Sequence, residues 1–275
     1  MSYKTILVHV DLSAHAPARI AIAAKIAADQ GAHLIGAAMT GISRFIYRGG
    51  TVDLARTVLA GQLDALVDKA NDALARFEVI AETFAGLSFE RRMVDDDAAG
   101  ALVQQARYAD LVVLSQFDPD DPAGRIDPGL PAFVLLNSAC PVLVVPYANA
   151  AATFGEHALV AWDETLQASR AVANGVPLLR RARQTTLAVF NPADELRLAG
   201  AEIALYLARH GVNVEVRSGE TGLDVGNALL SLAADLGADL MVMGGYGHTR
   251  FREVLLGGVT QTVLAGMTIP VLMSH

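Results

Sequence analysis

Cysteine is nearly absent from this 275-residue chain: Cys140 stands alone, so no disulfide can form within it, and a reducing compartment is expected. Because Cys140 precedes Pro141 in an apolar run, it reads as a small buried hydrophobe rather than a reactive thiol. Basic residues are scarce as well. The 21 Lys and Arg are outnumbered by 29 Asp and Glu, leaving a net charge of −8, which excludes the clustered positive surface that duplex phosphates require. Long apolar runs are also missing. The most apolar stretch, PAFVLLNSACPVLVVPY, is broken by Asn137, Ser138, Pro141 and Pro146, which suits a helix end followed by a strand better than a membrane span. The opening MSYKTILVHVD has neither the apolar core nor the cleavage site of a signal peptide, so a cytoplasmic protein with neither nucleic acid nor membrane as partner is expected. Nowhere is there GxxxxGKS, which excludes a Walker-type P-loop, and nowhere the GxGxxG of dinucleotide folds. Neither a nucleophile, base and orienter set nor a metal-ligand cluster stands at a suggestive spacing, so catalysis has no support.

What the chain does have is a repeat. With 53% hydrophobic residues it can bury a full core, and its length suits one large domain or two ordinary ones. ILVHVD ending at Asp11 returns as ALVAWD ending at Asp163, an offset of 152 residues. ADLVVLSQFD from Ala109 returns as ADLMVMGGYG from Ala238, and PVLVV from Pro141 as PVLMS from Pro270, both at an offset of 129. The first half therefore carries a net 23 extra residues, which fall in the helical pattern from Thr51 to about Phe84. A tandem duplication follows, with domains expected at 1–148 and 155–275 and a boundary in PYANAAATFGEH.

Within each half, short apolar runs alternate with helical patterns, the signature of an α/β fold with a doubly wound parallel sheet and helices on both faces. Strands are expected at 4–10, 33–39, 88–94, 110–115 and 142–146, then at 157–162, 185–190, 213–217, 239–243 and 270–274. Helices are expected at 14–30, 51–84, 97–108 and 129–139, then at 165–181, 193–210, 223–236 and 257–266. Ser13 and Thr165 stand where a side-chain oxygen would cap the first helix of each half.

The two halves act as controls on each other. Where the second has Gly244, Gly245 and Gly247, the first has Ser115, Gln116 and Asp118; where the second has Gly257, the first has Pro128. A fold that needed these glycines would need them twice, so a ligand explains them better than a βα corner does. Bare amides in such a loop form a nest for phosphate oxygens, and Gly257 and Gly258 open the last helix, whose first N–H groups and dipole favour an anion. Both features lie at the carboxyl ends of parallel strands, where ligands of doubly wound folds collect. Asp163 would face the same crevice and, as a carboxylate, belongs at the nucleoside end rather than beside phosphates.

At these residues the chain resembles the universal stress protein family, whose nucleotide-binding members carry GxxG, nine residues, then G followed by Ser or Thr. Gly244 and Gly247 supply the GxxG, nine residues run from His248 to Leu256, and Gly257 falls on the third glycine. The resemblance covers both halves and implies a five-stranded sheet of order 3-2-1-4-5 in each, pairing of the halves as a pseudo-dimer through their last strands, a homodimer of chains, and a stress role. By position it places Asp163 at the adenosine, Phe190 beside the adenine, Met243 and Gly244 at the nucleoside edge, and Gly247, Gly257, Gly258, Val259 and Thr260 around the phosphates. The implied cofactor is an adenine nucleotide, ATP first, with Mg as its counter-ion. One departure stands out: Gly258 replaces the family's Ser or Thr, removing a phosphate hydrogen bond of about 1.5–3 kcal/mol, with Thr260 able to supply a hydroxyl one turn on.

Other residues weigh less. His248, Arg250 and Arg252 read as solvated charges before phosphate ligands, His9 as a satisfied core or crevice histidine, and His275 as disordered. Asp118, Asp120, Asp121 and Asp127 lack the spacing of a calcium loop and read as a solvated acidic loop that repels phosphate, making the first half the degenerate copy. The expected function is nucleotide-dependent sensing or regulation, non-catalytic, with one site in the second half. Two other classes fit the same residues: a nucleotide-free module docking an unknown protein partner through the long first-half helix, and a slow ATPase.

Overall fold

The computed structural model describes residues 2–41, 56–121, 127–148, 153–192, 200–247 and 258–275, with the backbone alone over 56–63. Two compact units emerge, Tyr3–Cys140 and Pro141–His275.

In the first unit β1 (Thr5–Val10), β2 (His33–Met39), β3 (Ser88–Val94) and β4 (Leu111–Ser115) form a parallel sheet in the order β3-β2-β1-β4. Every residue of β4 is buried, and of β1 all but Thr5, so side chains pointing to either face are covered, as a parallel sheet requires. β3, SFERRMV, alternates exposed and half-buried positions because it is an edge, where charged side chains also discourage pairing with another chain. Between the strands run α1 (Ala16–Gln30), α2 (Arg56–Glu82), α3 (Ala98–Gln105), a 3-10 turn at Ala106–Tyr108, and α4 (Leu130–Asn137). α1 stops at Gly31, whose φ of 62° gives the left-handed cap that glycine adopts without strain. Phe77 of α2 is fully buried against Gly36 of β2, where an added Cβ would lie 2.6 Å from its ring; that glycine makes room for the aromatic anchor.

The second unit holds β5 (Val142–Val145), β6 (His157–Ala161), β7 (Gln184–Phe190), β8 (Val214–Gly219), β9 (Leu240–Gly244) and β10 (Val271–Ser274). Their order is β5-β10-β9-β6-β7-β8, so the second repeat has the expected 3-2-1-4-5 arrangement. All pairs are parallel except β10 with β5, which run antiparallel with Leu272 opposite Leu143. Its helices are α5 (Leu166–Leu179), α6 (Ala201–Arg209), α7 (Val225–Leu236) and α8 (Val259–Gly266). Each fully buried Leu, Val or Met of β9 and β10 contributes about 1.5–3 kcal/mol, which makes these two strands the anchor of the unit. All ten strands fall within a residue or two of their expected places.

The first-half caps differ from expectation. Thr165 does cap α5, its oxygen accepting from the Ala168 N–H at 3.2 Å. Ser13 caps nothing: α1 starts at Ala16 with His15 as its N-cap and Pro17 in its first turn, and the Ser13 hydroxyl donates to Asp11 at 2.6 Å. α6 is described only from Ala201, and the residues expected to begin it, 193–199, lie outside the described set, as does the start of the helix expected from Thr51. Among the described residues no helix is long and apolar enough to cross a membrane.

Candidate functional site

A cavity of about 360 Å³ opens at the carboxyl ends of β6, β7 and β9, within the size range of small-molecule sites. Its wall contains Asp163, Phe190, Met243, Gly244, Gly247, Gly258, Val259 and Thr260, eight of the nine expected site residues. The ninth, Gly257, lies outside the described residues, as do His248, Arg250 and Arg252. Sequence reasoning missed Ala161, Trp162, Ala188, Val225 and Leu229, which complete the wall. Two of those, Val225 and Leu229, sit one turn apart at the start of α7, on an apolar stripe that the sequence pattern reads as ordinary core.

The site divides by chemistry. One end is apolar, with Trp162, Phe190, Val225, Leu229 and Met243; Asp163 stands at the strand end beside it. Its Oδ1 accepts from the Thr165 N–H at 3.1 Å and from the Thr165 hydroxyl at 2.6 Å, which fixes the carboxylate and leaves Oδ2 to face solvent and ligand. At the other end the main chain is exposed. The N–H groups of Gly247, Val259 and Thr260 find no acceptor among the described residues. The last two belong to the first turn of α8, whose dipole adds to their pull on an anion.

Three non-glycine residues adopt a positive φ: Glu164 at 62°, Asn191 at 51° and Tyr246 at 55°. They follow β6, β7 and β9, each at the lip of this cavity, and among the described residues of the first unit no non-glycine residue does the same. Such conformations cost on the order of 1–3 kcal/mol each and persist where the surroundings over-determine them, typically at functional sites. No sequence signal announces a left-handed Glu or Tyr.

Two of the cavity residues are also fixed by packing. Gly244 is required by packing: a Cβ there would come within 2.6 Å of the Ala168 nitrogen and 2.8 Å of the Gln167 carbonyl carbon, so β9 ends against the backbone that starts α5. Thr260 is buried, and its hydroxyl oxygen accepts from the Tyr246 N–H at 3.0 Å, tying the glycine loop to α8 while leaving the hydroxyl proton to be donated elsewhere. Gly247 is different. A Cβ there would meet the side chains of Thr165 and Gln167 at 3.4–3.6 Å, ordinary contacts, so packing among the described residues does not demand this glycine. His275 is also held, its ring Nδ1 within 3.1 Å of the Gly245 carbonyl and its own carbonyl accepting from Arg170.

The corresponding place in the first unit is built otherwise. Asp118, in register with Gly247, bonds His15 at 2.7 Å, and Asp121 accepts from the Ala14 N–H at 3.0 Å, so these two aspartates fasten onto the residues that lead into α1, while Asp120 and Asp127 are exposed as expected. Arg19, in register with Ala171, is fully buried and donates to the His9 carbonyl at 2.7 Å, the Ser115 hydroxyl at 2.6 Å and Asp11 Oδ1 at 3.0 Å. Burial opposes the charge on Asp11, but Arg19, His9 and two bonds from Ser13 outweigh it and hold the carboxyl well below its usual range. Burial, helped by the Arg19 charge, lowers His9 to about 4, so the ring is neutral at pH 7.

A sequence model of the universal stress protein family matches residues 2–146 and again 156–275. The chain belongs to the universal stress protein family, as a tandem member. Among solved structures, a universal stress protein of Archaeoglobus fulgidus DSM 4304 superposes with a TM-score of 0.73 at 17% identity, over 98% of this chain and 94% of that one. The functionally unknown protein PA1789 of Pseudomonas aeruginosa PAO1 gives 0.57 at 18% identity, over 98% and 92%. Both are similar in fold. Universal stress protein MJ0577 of Methanocaldococcus jannaschii is 41% identical over 44 residues, a match spanning 16% of this chain and 27% of that protein.

Proposed function

We propose that this universal stress protein binds one adenine nucleotide, ATP first, in the cavity of its second unit, and serves in sensing or regulation rather than catalysis. The observation that carries the reading is the polarity of that cavity: an apolar pocket with one fixed carboxylate at one end, and unpaired main-chain N–H groups with a helix start at the other. Purine and ribose suit the first end, phosphate oxygens the second. Phe190 and Met243 would flank the base, Asp163 would accept from nucleoside hydroxyl or amino groups, and the amides of Gly247, Gly257, Gly258, Val259 and Thr260 would hold phosphate. Mg, where it accompanies ATP, would sit on the phosphates. Family membership supports the stress role.

Calorimetric titration with ATP is expected to saturate near one site per chain, and Gly247→Asp to abolish it by placing a carboxylate in the phosphate cradle. Gly247→Ala is the control for folding, since its Cβ has room. Two equivalent sites per chain would overturn the reading. A second reading, a nucleotide-free interaction module, is favoured by one observation: Gly258 offers no hydroxyl where the family's nucleotide-binding members have Ser or Thr. A nucleotide found by mass spectrometry in gently purified protein decides for the first reading, its absence from folded protein for the second.

A further inference from the structure

The first unit has a cavity of its own, about 380 Å³, at the carboxyl ends of β1 and β2 and lined in part by α2 and the starts of α3 and α4. Its charges are the reverse of what phosphate needs. Among the described residues Asp11, Asp97 and Asp127 line it against one ammonium, Lys69, whereas the described wall of the second unit's cavity has one carboxylate and several glycines. The rest of its surface is mostly aliphatic, including Met39 and Leu130. Each carboxylate is already held by one oxygen: Asp11 Oδ1 by Ser13 and Arg19, Asp97 Oδ1 by the Gly100 N–H at 2.8 Å, Asp127 Oδ1 by the Gly129 N–H at 2.8 Å. The positions of the negative charges are thus fixed before any ligand arrives.

A second, independent observation points into the same cavity. His9, which lines it, has a side chain only 7% exposed, and its Nδ1 has no hydrogen-bond partner. Asp11 Oδ2 is likewise buried without a partner, 3.6 Å from that nitrogen. Buried polar atoms left in this state are uncommon; Asp11 Oδ2 presents an acceptor to a donor-rich group, and His9 Nδ1 presents a second in the tautomer that carries its proton on Nε2. Arg19 cannot serve them, since its guanidinium is committed to Asp11 Oδ1, Ser115 and the His9 carbonyl.

We propose that the first-unit cavity binds a small organic cation, an alkyl ammonium whose nitrogen donates toward Asp11 and His9 and whose carbon chain lies along the aliphatic wall within reach of Asp97 or Asp127. This site is independent of nucleotide binding in the second unit. The tandem protein then has one cavity for an anion and one for a cation, built on the same fold.

The probe is putrescine, titrated calorimetrically into the full-length protein with and without saturating ATP. One saturable site per chain is expected in both conditions, weakened by raising salt from about 0.05 to about 0.5 M as screening shortens. Asp11→Asn should remove binding, but it leaves Arg19 without its carboxylate and can unfold the unit. Asp97→Asn keeps the helix cap, since Asn caps as well as Asp, and with Asp127→Asn it should weaken putrescine by about fivefold or more. Asp163→Asn should leave putrescine unchanged while affecting ATP, so the two sites fail or stand separately. No saturable binding up to about 10 mM putrescine, unchanged affinity in the Asp97→Asn, Asp127→Asn double variant, or a second ATP bound in place of putrescine would each overturn the proposal.

Discussion

At the scale of single residues, the difference between the halves turns on Arg19 and its register partner Ala171. A fully buried guanidinium is tolerable only because all of its neighbours are acceptors, and the acceptor set includes the strand-ending aspartate that the second unit leaves open. This substitution explains why Asp11 and Asp163, alike in sequence, differ in chemistry. It also sets an acid sensitivity. Unfolded, His9 takes up a proton near its ordinary value of 6.5; folded, it stays neutral down to about 4. Between those values the unfolded chain binds more protons, so stability falls as pH drops through the window, and the depressed Asp11 continues the loss at lower pH. Urea unfolding of the wild type is expected to lose on the order of 2–3 kcal/mol more than His9→Gln between pH 7 and about 4.5. Equal losses in the two proteins would show that His9 is not the titrating group. Cys140 is a quieter case: burial, with Asp110 nearby, pushes its thiol up to about 12, in keeping with the inert hydrophobe read from its apolar surroundings.

At the scale of elements, the strands were legible because burial on both faces writes a run of Val, Leu and Ile that no surface segment tolerates, and the edge strands because β3 and β8 keep their charges. The cavity wall was legible where a repeat supplied contrast: glycine against aspartate at 247 and 118 marks a local difference in function that one copy alone would hide. What stayed illegible depends on backbone meeting backbone. Gly244 is the example, since it looks like its neighbours in the loop, yet it is fixed by the start of α5, which arrives from far away in sequence. Gly244→Ala is therefore expected to destabilise the second unit by about 1–3 kcal/mol through forced separation of β9 and α5, measurable as a lower urea midpoint, whereas Gly247→Ala should change it little. Equal effects of the two would mean that the contact at Ala168 relaxes freely. The Ser13 cap was unreadable because α1 begins later: its N-cap is His15, so Ser13 stands two residues outside the helix although its hydroxyl donates to Asp11 as that of Thr165 does to Asp163.

At the scale of the whole molecule, the two copies differ most around the cavities at their strand ends, where the proposed nucleotide site belongs to the second. The three left-handed residues Glu164, Asn191 and Tyr246 surround one cavity, and their strain is a reserve that bound nucleotide would hold in place. Ligand that binds only the native state stabilises it by about 2.7 kcal/mol at a hundredfold excess over Kd, and for a local site that gain is concentrated in the elements that touch it. Amide hydrogen exchange with saturating ATP should therefore slow at residues 161–165, 188–191, 243–247 and 258–262, while amides near Asp11, Asp97 and Asp127 exchange as before. The asymmetry is expected in space as well as in stoichiometry: protection spread equally over both sets would mean that the aspartates of the first unit tolerate phosphate after all, and the two cavities would no longer differ in the charge of the ligand they take.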